Sequence, residues 1–133
     1  MNALRLEIDL TSDVPIYRQI RDRIVRGAAS GALAPGERLP TVRQLAADLG
    51  VNPMTVNKAY ALLKAEGIIV MDRRRGAQIC ESFAQSGTPD DDFDGKASLL
   101  LSEARTKGVS KQALLARISE IVDTLYQDGE GSK

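Results

Sequence analysis

The side chains that could do chemistry in this sequence are arginines, lysines and amides rather than the usual catalytic groups. The 133 residues include no histidine and a single cysteine, Cys80. The commonest general base, a zinc site and an internal disulfide are therefore excluded. The sequence also has no glycine-rich phosphate loop and no nucleophile elbow. We predict a protein that binds rather than catalyses, with no cofactor and no metal site.

One cluster of cations is short and dense, and it ends in a glycine: Arg73, Arg74, Arg75 and Gly76. The flanking segments 68–70 and 78–80 predict the two strands of a hairpin that carries these residues at its tip. One interpretation is an exposed turn that keeps the strand edge soluble. The other is a wing that grips DNA phosphates or a narrow minor groove, with Gly76 allowing a close approach.

A pair of helices precedes this hairpin. Apolar residues recur with the spacing of one helix face at Val42, Leu45, Ala46 and Leu49. This pattern predicts a helix over 41–49 that begins with a capping box of Thr41 and Gln44 and ends at Gly50. A second helix is predicted over 53–66, with Asn52 as its N-cap. The spacing is typical of a helix-turn-helix over 41–60, although any helical hairpin with a glycine turn would share it.

The exposed face of the second helix distinguishes these interpretations. Its buried stripe consists of Val56, Ala59, Tyr60 and Leu63. The rest of its first three turns has no acidic residue, which would repel phosphate, and offers groups that can reach a base or a phosphate: Asn52, Met54, Thr55, Asn57 and Lys58. We therefore predict a recognition helix that enters the major groove of DNA.

The flanking segments complete the predicted architecture. A short strand is expected at Leu4–Ile8 and a helix over 14–30, for which Thr11, Ser12 and Asp13 offer caps. Domain 1–81 is followed by a linker at 82–93. A two-helix region covers 94–128, with its first helix over 94–107 and its second capped by Ser110, and a disordered tail covers 129–133.

The last two helices carry an apolar seam at Leu100, Leu101, Leu114, Ile118, Ile121 and Leu125. The last helix could fold back on its own domain, or it could meet the same helix of a second subunit. We favour a homodimer, because two helices alone bury their apolar faces poorly, and we expect Tyr126 to close the seam. Asp90, Asp91 and Asp92 resemble an acidic metal cluster, but adjacent carboxylates in a linker usually only solvate it.

The run Leu39–Tyr60 and the following Leu63–Gly67, together with Pro15-Ile16-Tyr17 and Pro35–Pro40, resemble the GntR family of bacterial regulators over residues 13–81. The short remainder resembles the YtrA-type subfamily, in which two C-terminal helices dimerise and no large effector domain is present. The fold implied is mainly α with a small β-hairpin wing, an N-terminal winged helix-turn-helix followed by a C-terminal two-helix dimerisation tail.

The resemblance also implies residue roles. Arg43 matches the arginine that reaches a guanine, whose O6 and N7 accept a bidentate contact; a surface salt bridge with Glu37 or Asp48 is its alternative. Thr41 matches a capping hydroxyl that also touches phosphate, and Arg38 lies in the same matching stretch. Met54 departs from the more polar residues of relatives. The wing has one glycine where relatives often have two.

The distribution of charge fits this interpretation. Residues 1–81 carry 12 Lys/Arg and 9 Asp/Glu, a net charge of +3, whereas 82–133 carry 6 and 9, a net charge of −3. The sequence shows no apolar run that could span a membrane and no secretory signal, so we expect a bacterial cytoplasmic protein. We predict a homodimeric repressor that binds a palindromic operator in double-stranded DNA, with no effector identified. The alternative is a winged-helix module that binds protein instead of DNA.

Overall fold

The computed structural model of the protein describes residues 6–83 and 87–126. The chain divides into two units, Met1–Phe83 and Ala84–Lys133. The first unit contains α1 (Ile16–Ser30), α2 (Val42–Leu49), α3 (Pro53–Ala65), β1 (Ile69–Asp72) and β2 (Gly76–Ile79). The second contains α4 (Asp91–Thr106) and α5 (Lys111–Leu125). The predicted class, mainly helical with one small hairpin, is confirmed.

Helix α1 begins differently from the prediction. Its N-cap residue is Pro15, and no side chain caps it, so the caps predicted at Thr11, Ser12 and Asp13 are wrong. The Gln19 side chain reaches back instead, and its Nε2 donates to the carbonyls of Asp9 and Val14 at 3.0 and 2.9 Å. This contact holds the entering chain against the helix without an N-cap side chain.

The strand predicted at Leu4–Ile8 is not formed over the part that the structure describes. Residues 6–9 have no strand partner, while Leu6 and Ile8 pack against the hydrophobic core. The backbone N–H of Asp9 donates to Gln19 Oε1 at 2.8 Å, so a side chain takes the place of a strand neighbour. Residues 4 and 5 lie outside the described residues.

The helix-turn-helix agrees closely with the prediction made from the sequence. Thr41 and Gln44 form the predicted capping box, with both reciprocal hydrogen bonds present. Gly50 ends α2 with φ +70°, a left-handed conformation that favours glycine. Asn52 then caps α3 by accepting from the N–H of Met54, and Pro53 occupies the first turn. The predicted stripe of α3 is buried in full, at Val56, Ala59, Tyr60 and Leu63.

The hairpin is attached to the chain that leads into α2. β1 and β2 pair antiparallel, with Ile69 opposite Ile79 and Asp72 opposite Gly76. On the other side of β2, the N–H of Leu39 donates to the carbonyl of Ala77 at 2.8 Å, and the N–H of Ile79 donates to that of Glu37 at 2.9 Å. The segment from Glu37 to Leu39 therefore lies along β2 on the side away from β1, and it ends next to the first turn of α2.

The second unit is a helical pair with little burial. Helix α4 begins at Asp91, so residues 91–93 are helical rather than part of the predicted linker. Asp90 accepts the N–H of Phe93. The acidic residues in the first turn stabilise α4, because their negative charges lie at the positive end of the helix dipole. As predicted, Ser110 caps α5. The predicted tail at 129–133 lies outside the described residues.

The predicted seam of the second unit divides into two sets. Leu101, Leu114 and Ile118 of the seam are half-buried between the helices, together with Ala97 and Ala104. Leu100, Ile121, Leu125 and Tyr126 are exposed instead. No residue described in this unit is buried, so most of its apolar surface lacks a neighbour within the unit.

The left-handed turn at Gly50 generates a test. A Cβ at this position meets nothing within 4 Å, so a substitution is opposed by the backbone conformation alone. We expect Gly50→Ala to lower the free energy of unfolding by about 1 kcal/mol, and Gly50→Asn to lower it less because asparagine tolerates this conformation. Chemical denaturation measures both, and equal stability of the alanine variant and the wild type would refute the role of the turn.

Candidate nucleic-acid interface

The exposed face of α3 forms one wall of a groove. The groove has a volume of about 450 Å³ and is lined by Tyr17, Asn52, Met54, Thr55, Asn57 and Lys58. All five predicted recognition-helix positions therefore lie around one depression. Met54 is 76% exposed, so its apolar side chain is available to a partner such as a thymine methyl group.

The two capping side chains at this surface retain donors for a ligand. Asn52 uses its carbonyl oxygen to accept the N–H of Met54 at 2.8 Å, which leaves the amide hydrogens. Thr41 accepts the N–H of Gln44 at 3.0 Å, which leaves the hydroxyl hydrogen. Both residues can hold their helix and donate to a phosphate at once.

A second groove, also of about 450 Å³, lies between the start of α2 and the hairpin. Among the residues that line it are six of the predicted site: Arg38, Thr41, Arg73, Arg74, Arg75 and Gly76. The structure thus brings together cations that are separated by more than thirty positions in the sequence. An arginine-lined groove beside a helix N-terminus is suited to phosphate oxygens.

Arg43 lines neither groove. It lies exposed in the first turn of α2, beside the groove residues Val42 and Gln44. Its alternative role as a salt-bridge partner of Glu37 or Asp48 is not supported, because no such ion pair is formed. The Glu37 carboxylate instead accepts the N–H of Ala34 at 2.8 Å.

The tip of the hairpin is held by a carboxylate that the sequence analysis did not single out. Asp72 Oδ1 accepts the backbone N–H groups of Arg74 and Arg75 at 2.7 and 3.1 Å. The bond from Arg75, followed by that from Arg74, lowers the pKa of the Asp72 carboxyl below its ordinary value, and the charges of Arg75 and Arg38 add to the effect. Gly76 closes the loop with φ +79°, which explains why this one glycine is sufficient for the turn.

Two further contacts position α3. The Arg21 guanidinium of α1 donates to both carboxylate oxygens of Glu66, from Nε at 2.9 Å and from the terminal nitrogen at 3.1 Å, which raises the pKa of Arg21. The Tyr60 hydroxyl donates to the carbonyl of Pro40 at 2.8 Å, and burial raises its pKa. The first contact fixes the end of α3, and the second connects its middle to the chain before α2.

Tyr17 is the contact residue that the sequence analysis missed at this surface. The Nζ atom of Lys58 lies 4.2 Å from the centroid of its ring. The sequence analysis named Tyr17 only within the run Pro15-Ile16-Tyr17 and gave it no role in binding. No local pattern shows that a ring on α1 faces a cation forty-one positions later.

Within residues 6–83 and 87–126, no three His, Cys, Asp or Glu side chains are grouped so that they could hold a metal ion. Over the same ranges no helix is both long and apolar enough to cross a membrane. The three aspartates predicted only to solvate a linker instead form the cap and first turn of α4.

Comparison with known proteins gives a consistent result. The family model described as bacterial regulatory proteins, gntR family, matches residues 16–79. The HTH-type transcriptional repressor YtrA of Bacillus subtilis is 44% identical, covering 87% of this chain and 91% of its own. The HTH-type transcriptional regulator Rv1152 of Mycobacterium tuberculosis is 32% identical, covering 89% and 94%.

Solved structures agree with these relatives. YtrA from Sulfolobus acidocaldarius, a GntR-family transcription factor, is 39% identical with a TM-score of 0.58, covering 76% of this chain and 97% of its own. A transcriptional antiterminator from Listeria monocytogenes is 25% identical with a TM-score of 0.77, covering 93% and 94%. The similarity therefore extends beyond the helix-turn-helix into the second unit.

The carboxylate at the hairpin tip generates a pH prediction. A lowered pKa means that Asp72 stabilises the loop above the ordinary carboxyl range, about 3.9 for aspartate, and that this stability is lost as the pH falls through the lower folded value. We expect the amide NMR signals of Arg74 and Arg75 to titrate below that range. The Asp72→Asn variant keeps the acceptor oxygen and is the control, because its signals should not titrate there. Titration at the ordinary value in the wild type would contradict the assignment.

Proposed function

The chain belongs to the GntR family of bacterial regulatory proteins and is a DNA-binding transcriptional regulator, and from this premise we propose that it is a homodimeric repressor of a palindromic operator. The observation that carries the proposal is that one unit contains both the polar exposed face of α3 with Lys58 and an arginine-lined groove between the start of α2 and the hairpin. Its relative of 44% identity is named a repressor. In this proposal the protein acts in the bacterial cytoplasm. It regulates its own operon or a neighbouring transporter operon.

Each element has a distinct task in the proposed complex. Helix α3 enters the major groove, where Asn57 and Lys58 meet base edges or the backbone. Arg43 binds a guanine from the first turn of α2. Arg38, Thr41 and the hairpin arginines bind phosphates, which fix the register but carry no sequence information.

The second unit supports a dimer through its exposed apolar surface. Leu100, Ile121 and Leu125 are 65%, 52% and 37% exposed in the single chain. Ile121 and Leu125 continue the face of α5 on which Leu114 and Ile118 meet α4, and Leu100 lies next to Leu101 on α4. A second copy of this pair would bury that face, and the resulting two-fold axis would match a palindrome.

The role of Arg43 is tested by removing its side chain. We expect Arg43→Ala to weaken binding to a duplex that the wild-type protein selects from a randomised pool by about 5- to 150-fold, the range typical of a bidentate guanine contact. Binding to random duplex should change little. Arg105→Ala removes the same charge from the last turn of α4 and is the control. Wild-type affinity and selectivity in a folded Arg43→Ala protein would exclude this role.

The same titrations distinguish DNA binding from a protein-interaction module. Phosphate contacts release counterions, so the affinity for the selected duplex should fall steeply and linearly on a log–log plot against salt concentration. Failure of the wild type to select any duplex would instead support the winged-helix module that binds protein.

The dimer is tested by introducing a charge at its proposed centre. We expect Ile121→Asp to sediment as a monomer and to lose most of its operator affinity, because an unpaired carboxylate would be buried at the interface. Leu99→Asp is the matched control: Leu99 is 62% exposed and lies on the side of α4 away from Ala97 and Leu101. Equal sedimentation of the two variants would refute the proposed seam.

A further inference from the structure

The contact between Tyr17 and Lys58 joins the recognition helix to a helix outside the helix-turn-helix. The Lys58 ammonium lies 4.2 Å from the Tyr17 ring centroid, within the range of about 6 Å for a cation–π interaction. Tyr17 is half-buried and packs against the hydrophobic core, whereas Lys58 is exposed. The ring is therefore held by α1, and the cation is the part that can move.

The pair lies beside the exposed face of α3, which we call the DNA-reading surface; its residues are Asn52, Met54, Thr55, Asn57 and Lys58. Tyr17 lines the same groove as the exposed residues of α3. No carboxylate of the described residues forms an ion pair with Lys58. Its charge is therefore restrained by a neutral ring and remains available to an anion.

A cation–π contact restrains a lysine differently from a salt bridge, because it leaves the N–H groups of the ammonium free to donate. A ring face attracts the ammonium without accepting its N–H groups in the way a carboxylate does, so Lys58 could donate to a phosphate while it stays over the ring. A lysine side chain has four flexible bonds and loses much rotamer freedom when it binds. Restricting it beforehand reduces that loss.

We propose that Tyr17 is a positioning residue of the DNA-reading surface, which preorders the Lys58 ammonium at the edge of the groove beside α3 for contact with DNA. This inference rests on the proposed function. It assigns to α1 a part in DNA affinity in addition to its packing role. It also predicts that the aromatic ring matters, rather than the apolar volume alone.

The first measurement needs no DNA. A proton held over an aromatic ring is shifted upfield, so the Lys58 ε-protons should have an upfield NMR shift in the wild type. We expect Tyr17→Phe, which keeps the ring, to retain this shift and Tyr17→Leu to lose it. Unchanged ε-proton shifts in a folded Tyr17→Leu protein would overturn the proposal, because the ring would then not hold the lysine.

The second measurement is a double-mutant cycle with the duplex that the wild type selects from a randomised pool. We expect Tyr17→Leu to weaken binding by about two- to five-fold, the range for an exposed cation–π contact. Tyr17→Phe should bind almost as the wild type does. In a Lys58→Met background, Tyr17→Leu should cause no further loss.

The outcomes separate this inference from the function on which it rests. If Tyr17→Leu weakens binding by the same factor with and without Lys58, Tyr17 acts only through packing and the inference fails while DNA binding stands. The inference also fails if the Tyr17→Leu protein binds the duplex as tightly as the wild type does. If the wild type selects no duplex, the proposed function fails and the inference fails with it, even where the ring-current shift is present.

Discussion

The burial of one side of α3 is the interaction on which the rest of the structure depends. Val56, Ala59 and Leu63 are completely buried against the neighbouring helices. Since successive residues of a helix are turned by a fixed angle, burying these three also fixes the direction of Asn57 and Lys58. Truncating a large core side chain costs about 2–5 kcal/mol, a considerable part of the total stability of a small domain. The rotation of the recognition helix is therefore specified by its hydrophobic side.

Polar contacts fix two features that apolar packing alone does not: the position of α3 along its axis and the position of the hairpin. The core fixes the rotation of α3, and the pairing of Arg21 with Glu66 and of Tyr60 with Pro40 restricts its sliding along its axis. The hairpin contributes few buried side chains in β1, where only Ile69 is buried. Its position comes instead from β2, where Ala77, Gln78 and Ile79 are buried, and from backbone bonds between β2 and the segment that leads into Thr41. The hairpin tip and the start of α2 consequently share one attachment.

The sequence predicts those features that depend on neighbouring residues. The capping box at Thr41, the N-cap at Asn52 and the left-handed glycine at 50 are local, and each is present. The start of α4 was missed because Asp90 and the acids after it fit both a solvated linker and a helix N-terminus. Only the hydrogen bond from Phe93 distinguishes the two.

Contacts between distant elements could not be predicted in this way. Arg21 and Glu66 are forty-five positions apart, and neither belongs to a pattern that indicates the other. The same holds for Tyr17 and Lys58, whose proximity follows from how α1 crosses α3. Periodicity indicates which face of each helix is buried. It does not indicate which polar residues meet at the margins of two packed helices, because that depends on the crossing geometry.

Asp72 shows how an acidic residue can lie among DNA-binding cations. A free carboxylate at the tip of the hairpin would repel phosphate, yet the turn needs an acceptor for two of its N–H groups. The Asp72 carboxylate supplies that acceptor, and these backbone bonds are the main cause of its lowered pKa. The two cations whose charges add to the effect, Arg75 and Arg38, line the groove beside it. One negative charge therefore orders the loop that carries three positive ones. The net charge of the tip stays positive and therefore favourable for DNA. A loop with the same arginines and no carboxylate would carry one more positive charge, but it would lack the acceptor that orders its backbone.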